Sequence, residues 1–152
     1  MSESTTNFTR GELLLIALGL VGLAGTWAQG FHYLGHGLLA GNVLFWQEAV
    51  ATPASTFLTV DILVLAAAVF VLMFAEGRRL GMGAGLLWAC FFASLFVGIS
   101  FAVPVFLALR QRRIRLTRPA EMAEPAGTDW IAIAIAILIA LVAAGYSLRH
   151  IP

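Results

Sequence analysis

Lysine is absent from this chain, cysteine occurs once, and charged residues of both signs make up only 11% of it. Each shortage excludes something. A water-soluble domain carries about 25% charged residues, and a chain this poor in them cannot cover a globular surface with polar groups. The single cysteine, Cys90, permits no intramolecular disulfide. All nine basic residues are arginine, and eight acids leave a net charge of +1. No basic run is interleaved with aromatics, so nothing points to nucleic acid. There is no glycine-rich phosphate loop, no G-x-S-x-G elbow and no C-x-x-C pair. No acid–histidine–nucleophile set clusters along the chain, so an enzyme is not the expectation, although scattered residues can still assemble a site.

What the chain has in excess is apolar residues, 61% of the total, with a mean hydropathy of +0.93. They lie in four stretches. Leu13 to Leu34 is 22 residues without a formal charge, Phe57 to Ala75 is 19 interrupted only by Asp61, Leu80 to Leu109 is 30, and Trp130 to Leu148 is 19. A hydrocarbon layer about 30 Å thick needs roughly 20 helical residues. Backbone polar groups in hydrocarbon must be satisfied within the protein, which leaves helices or closed barrels. Barrel strands of about 9–11 residues with alternating polarity do not fit such runs. Even Ile131 to Ile137, which alternates large and small, is apolar on both phases. The expectation is an all-α membrane protein, a single four-transmembrane-helix bundle with spans near 12–34, 53–76, 80–109 and 129–149 and a basic loop over 110–128.

Local signals refine the boundaries. Thr52-Pro53 reads as an N-cap followed by proline at the first helical position. Gly77-Arg78-Arg79 reads as the end of the second helix, with cations at its negative pole. The third stretch is too long to lie straight across about 30 Å, and Pro104 is expected to kink it, freeing the Ser100 carbonyl. Asp129-Trp130 opens the fourth helix. The first twelve residues make a poor leader, since Glu3 and Glu12 offset Arg10 and no clean cleavage site follows. Four spans divide the arginines four against five: Arg10, Arg78, Arg79 and Arg149 on one side, Arg110, Arg112, Arg113, Arg115 and Arg118 on the other. That split does not fix orientation, although the density of the second group favours a cytoplasmic third loop.

Asp61 is the sharpest candidate for function. It lies about 12 Å into a helix that starts at Pro53, where an unpaired carboxylate is expensive and acids often mark ion or proton paths. Ser55 and Thr59 lie elsewhere on the wheel, which leaves Gln29, His32 or Ser100 as partners from other helices. A carboxyl that merely fixes packing is the plainer reading. His32 and His36 are one turn apart and, with Glu48, form a candidate metal or haem set; Gly35 and Gly37, however, suggest that the helix ends before the rings share a face. Leu38, Leu39, Val43, Leu44, Phe45 and Trp46, with Asn42, Gln47 and Glu48 between them, form either a short interfacial helix or a surface-hugging connector. Arg110, Arg112, Arg113, Arg115 and Arg118 are candidates for anionic lipid headgroups, or simply a stop-transfer anchor. Glu76 and Arg79 suit an i, i+3 pair. Gly19, Gly22 and Gly25 permit close helix approach, and Cys90 reads as core.

Thr52-Pro53-Ala54-Ser55, Asp61, Glu76-Gly77-Arg78-Arg79-Leu80-Gly81-Met82, Trp88 and Phe101-Ala102-Val103-Pro104-Val105-Phe106-Leu107 together resemble a family of small bacterial membrane proteins catalogued as a domain of unknown function. The resemblance covers about Phe45 to Arg113. It implies an integral membrane protein, in a bacterium one of the inner membrane, and implies no activity or cofactor. The expected function is non-enzymatic: binding lipid or another apolar ligand, or serving as accessory subunit to a membrane-protein partner. A small proton-coupled transporter working as a homo-oligomer around Asp61 is the second reading. An enzyme acting on an isoprenoid-like substrate through His32, His36 and Asp61 is the third.

Overall fold

A computed structural model of the chain describes residues 7–117 and 129–149, and these form helices with no strand among them. In order they are α1 (Arg10–Leu34), α2 (Leu38–Ala49), α3 (Pro53–Arg79), α4 (Ala84–Ala93), α5 (Ile99–Thr117) and α6 (Asp129–Arg149). A wide turn, Ser94–Gly98, joins α4 to α5. By length and composition three helical stretches are apolar enough to cross a membrane: Arg10–Leu34, Pro53–Arg79 and Ala84–Thr117.

The third stretch is not one rod. Leu87 lies against Gly77, and Arg110 binds the neighbouring Glu76. A straight helix would hold residues 87 and 110 about 34 Å apart. The chain therefore doubles back, and α4 and α5 pack side by side as a hairpin. The reversal is at Gly98, whose φ of 142° suits only glycine. The long stretch is accommodated by this reversal rather than by a bend at Pro104, which lies six residues later inside α5. The freed Ser100 carbonyl has a structural use. It faces Gly22 of α1, where a Cβ would come within 2.6 Å of the oxygen, so α1 and α5 approach closely only because position 22 has no side chain.

The hairpin turn leaves backbone carbonyls outside a regular ladder. One of them, Val97 O, accepts a hydrogen bond from Trp27 Nε1 at 2.6 Å. In apolar surroundings a carbonyl without a donor costs about 1–3 kcal/mol, so the indole both fills space and holds the tip to α1. The Ser100 hydroxyl beside it is buried and finds no partner among the described residues.

Helix ends follow local chemistry. Thr52 caps α3 reciprocally with Ser55, and Pro53 occupies the first turn, as the sequence indicated. The expected stop at Gly77 is corrected. α3 runs on to Arg79 and closes at Gly81 (φ 65°), with Met82 N–H donating to Gly77 O and Gly81 N–H to Arg78 O. That is a Schellman cap; Gly77 is small because Leu87 packs onto it. The basic loop over 110–128 is corrected as well, since residues 110–117 are the last two turns of α5. Its remainder, with Arg118, lies outside the described residues.

α6 packs on α1 and α1 on α5; α5, α4 and α3 pack on one another, while α2 ties the far ends of α1 and α3 together. The core, Met73, Leu87, Cys90, Phe106 and Ile114, lies where α3, α4 and α5 meet. Ion pairs from Arg115 to Glu12 and from Arg110 to Glu76 show that the start of α1, the end of α3 and the end of α5 share one end of the molecule. Seven arginines, at 10, 78, 79, 110, 112, 113 and 115, gather there. Ala144 touches Gly25, well along α1 from that end. Asp129 follows Thr117 by only 12 residues, at most about 42 Å of chain. An antiparallel α6 would set Asp129 about 45 Å from the arginine-rich end, so α6 runs parallel to α1 with Arg149 toward the opposite end.

Candidate functional site

The arginine-rich end sorts its cations by partner. Thr9 and Glu12 open α1 with a capping box, the Glu12 carboxylate accepting from Thr9 N–H at 3.0 Å. Glu12 is fully buried, and Arg115 from α5 supplies its charge partner, Nε to Oε1 at 3.0 Å and Nη2 to Oε2 at 3.3 Å. Glu76 is likewise occupied. Arg79 reaches it from the same helix at 2.7 Å, the pair the sequence indicated, and Arg110 joins from α5 at 2.6 Å. Two of the five headgroup candidates, Arg110 and Arg115, are therefore structural ties between helices.

Arg112 and Arg113 differ. The Arg112 guanidinium stacks 4.6 Å over the Phe8 ring, an arrangement that orients a cation while leaving its N–H donors available. Arg113 donates to the Leu80 carbonyl at 3.1 Å and to Gly81 at 3.4 Å, across the α3–α4 turn. Neither meets a carboxylate among the described residues. Both line an open groove of about 240 Å³ whose other walls include Met82, Leu86, Leu109 and Leu116. Two uncompensated guanidinium groups above an apolar trough suit an anion carried on hydrocarbon.

The other sequence candidates lie elsewhere. His32 and His36 do meet, against expectation, with ring centroids 5.5 Å apart and edge to face. The reason is that Gly35 keeps right-handed backbone (φ −60°, ψ −23°) and His36 N–H donates to Tyr33 O, so one more turn forms beyond α1. Glu48 accepts from the Tyr33 hydroxyl at 2.6 Å, and Tyr33 touches His32. No group of three His, Cys, Asp or Glu side chains among the described residues is placed to hold a metal ion. The segment expected as a short helix or connector is helical, and Leu38 and Leu39 on it are 80% and 86% exposed. Asp61 faces outward from α3, and none of the described residues bonds to it. Gln29, His32 and Ser100 are therefore not its partners.

Two residues of this end, Glu12 and Phe8, went unread in the sequence. Glu12 carried a signal, the T-x-x-E pattern ahead of an apolar run. Phe8 and the division of the arginines carried none, because their partners lie up to a hundred residues away.

A model of the family described as "Protein of unknown function DUF2834" matches residues 14–112. The match begins well before Phe45 and takes in most of α1, which widens the resemblance read from the sequence. No curated protein and no solved structure matches this chain.

Proposed function

The chain belongs to that family of unknown function, and we propose that it is a multi-span membrane protein that binds an anionic phospholipid at its arginine-rich end. The carrying observation is that Arg112 and Arg113 flank an apolar groove without a carboxylate, while Arg110 and Arg115 are paired with Glu76 and Glu12. A lipid phosphate would accept from the two guanidinium groups, and an acyl chain would lie along Leu86, Leu109 and Leu116. The same end is placed at the cytoplasmic face, since seven arginines there against Arg149 at the other end satisfy the positive-inside rule. In this reading α1, α3 and α6 cross the bilayer and the α4–α5 hairpin re-enters from the cytoplasmic side. Its arms present 15 uncharged residues (84–98) and 11 (99–109) before the first arginine, about 22 and 16 Å, short of the roughly 30 Å needed.

The test is native mass spectrometry of protein released from bilayers of phosphatidylglycerol and phosphatidylcholine. One phosphatidylglycerol is expected to remain bound, and Arg112→Gln with Arg113→Gln is expected to weaken its retention about tenfold. Equal retention of the zwitterionic lipid, or no effect of the double substitution, would overturn the reading. The transporter reading rests on Asp61, and within one chain it has only that carboxyl to work with. The accessory-subunit reading is favoured by the exposed apolar surface of α2, and co-purification of a second protein from native membranes tests it.

A further inference from the structure

α3 meets α2, α4 and α5, and the side turned away from the hairpin is left exposed among the described residues. That side has a seven-residue repeat. Phe57, Val64 and Val71 are 71%, 67% and 72% exposed, at intervals of seven. Asp61 and Ala68 fall between them and Ala75 follows, all three exposed. The spacing of 4, 3, 4, 3 and 4 residues is that of the a and d positions of a coiled-coil seam. The inward side is set by Ala66 and Met73. Asp61 lies about 140° round the helix from Ala66, facing away from the chain's own hairpin.

We propose that this seam is the contact between two copies of the chain, packed in parallel about a two-fold axis along the bilayer normal, with their Asp61 carboxyls side by side. Copies inserted in the same direction meet in parallel and in register. In such a seam each a position faces its own counterpart, so Asp61 meets Asp61 by symmetry. One proton held between two carboxyls gives each a hydrogen-bonded partner in a layer where an isolated carboxylate is expensive. Ala68 and Ala75 take the other a positions, and their small size lets the two backbones approach. A single polar pair in an otherwise apolar seam fixes register, the best-attested use of a polar a-position residue. This inference is independent of the lipid groove, which lies at the cytoplasmic end between α4 and α5.

Cys90 is the chain's one cysteine, so a Cys90→Ala background is free of thiols. Val64→Cys and Val71→Cys are then introduced singly and oxidised with copper-phenanthroline in native membranes. Both are expected to give a disulfide-linked band of twice the chain's mass. Ile62→Cys, 50% exposed but on another side of α3, is expected to give none. Adding Asp61→Asn, which keeps a hydrogen-bonding pair, should preserve the Val64→Cys cross-link, and Asp61→Leu should reduce it about tenfold. The proposal is overturned by absence of cross-links at 64 and 71, by equal cross-linking at 62, by a product of different mass, or by an unchanged yield with Asp61→Leu.

Discussion

Arg115→Met isolates one contact that this fold cannot do without. Glu12 has no exposed surface, and its carboxylate is held by the Arg115 guanidinium at 3.0 and 3.3 Å and by Thr9 N–H at 3.0 Å. Methionine keeps the packing stem of arginine and removes the charge, leaving a buried carboxylate with one neutral donor. Breaking a buried ion pair by deleting one partner costs about 3–5 kcal/mol, because the remaining charge is uncompensated. Glu12→Gln should be milder. The glutamine oxygen still accepts from Thr9, and Arg115, 21% exposed along its side chain, can turn toward headgroups or water, so about 1–2 kcal/mol is expected. The double variant should be no worse than Arg115→Met alone and should recover part of its loss, giving a coupling of about 2 kcal/mol. The assay is unfolding of the protein in mixed micelles by increasing denaturing detergent, followed by circular dichroism, with all four species of the cycle measured together. A loss below about 1 kcal/mol for Arg115→Met, or strict additivity in the cycle, would refute the claim that this pair joins α1 to α5.

Two further outcomes are expected. Alkaline phosphatase and a cytoplasm-fluorescent reporter, fused at each terminus in turn, should place the N-terminus inside and the C-terminus outside; both termini on one side would restore four crossings and remove the re-entrant hairpin. Gly98→Ala should destabilise by about 1–3 kcal/mol through backbone strain alone, because the nearest side-chain atoms to an added Cβ, at 3.7 and 3.8 Å, leave room for it; unchanged stability in the same detergent titration would show that the chain does not reverse there.

Much of the secondary structure was legible, for a local reason. Thr52-Pro53 and the T-x-x-E pattern at Thr9 act within one turn, so the sequence holds all that is needed to recognise them. The length of the stretch 80–109 misled, because apolar residues in a re-entrant hairpin look like those of a long span. That one reading carried over into the arginines. A stretch that crosses splits them four against five, whereas one that returns puts seven at one end. The headgroup candidates were identified as a group, and only their partners told two of them from two others.

The residues alone determined that the chain is helical and apolar enough for membrane crossing, because hydrocarbon offers the backbone no partner and each helix satisfies its own. They also determined where α3 and α6 begin, at Pro53 and Asp129, and the presence of one acid in an apolar helix. The tertiary structure decided where the chain turns back, since any of several glycines could take a positive φ and only packing between α4 and α5 selects Gly98. It decided which arginines are neutralised, since Glu12 and Glu76 meet residues 103 and 34 positions away. It also placed Asp61 on the outside, because helical periodicity gives the angle between faces but not which face the neighbouring helices cover.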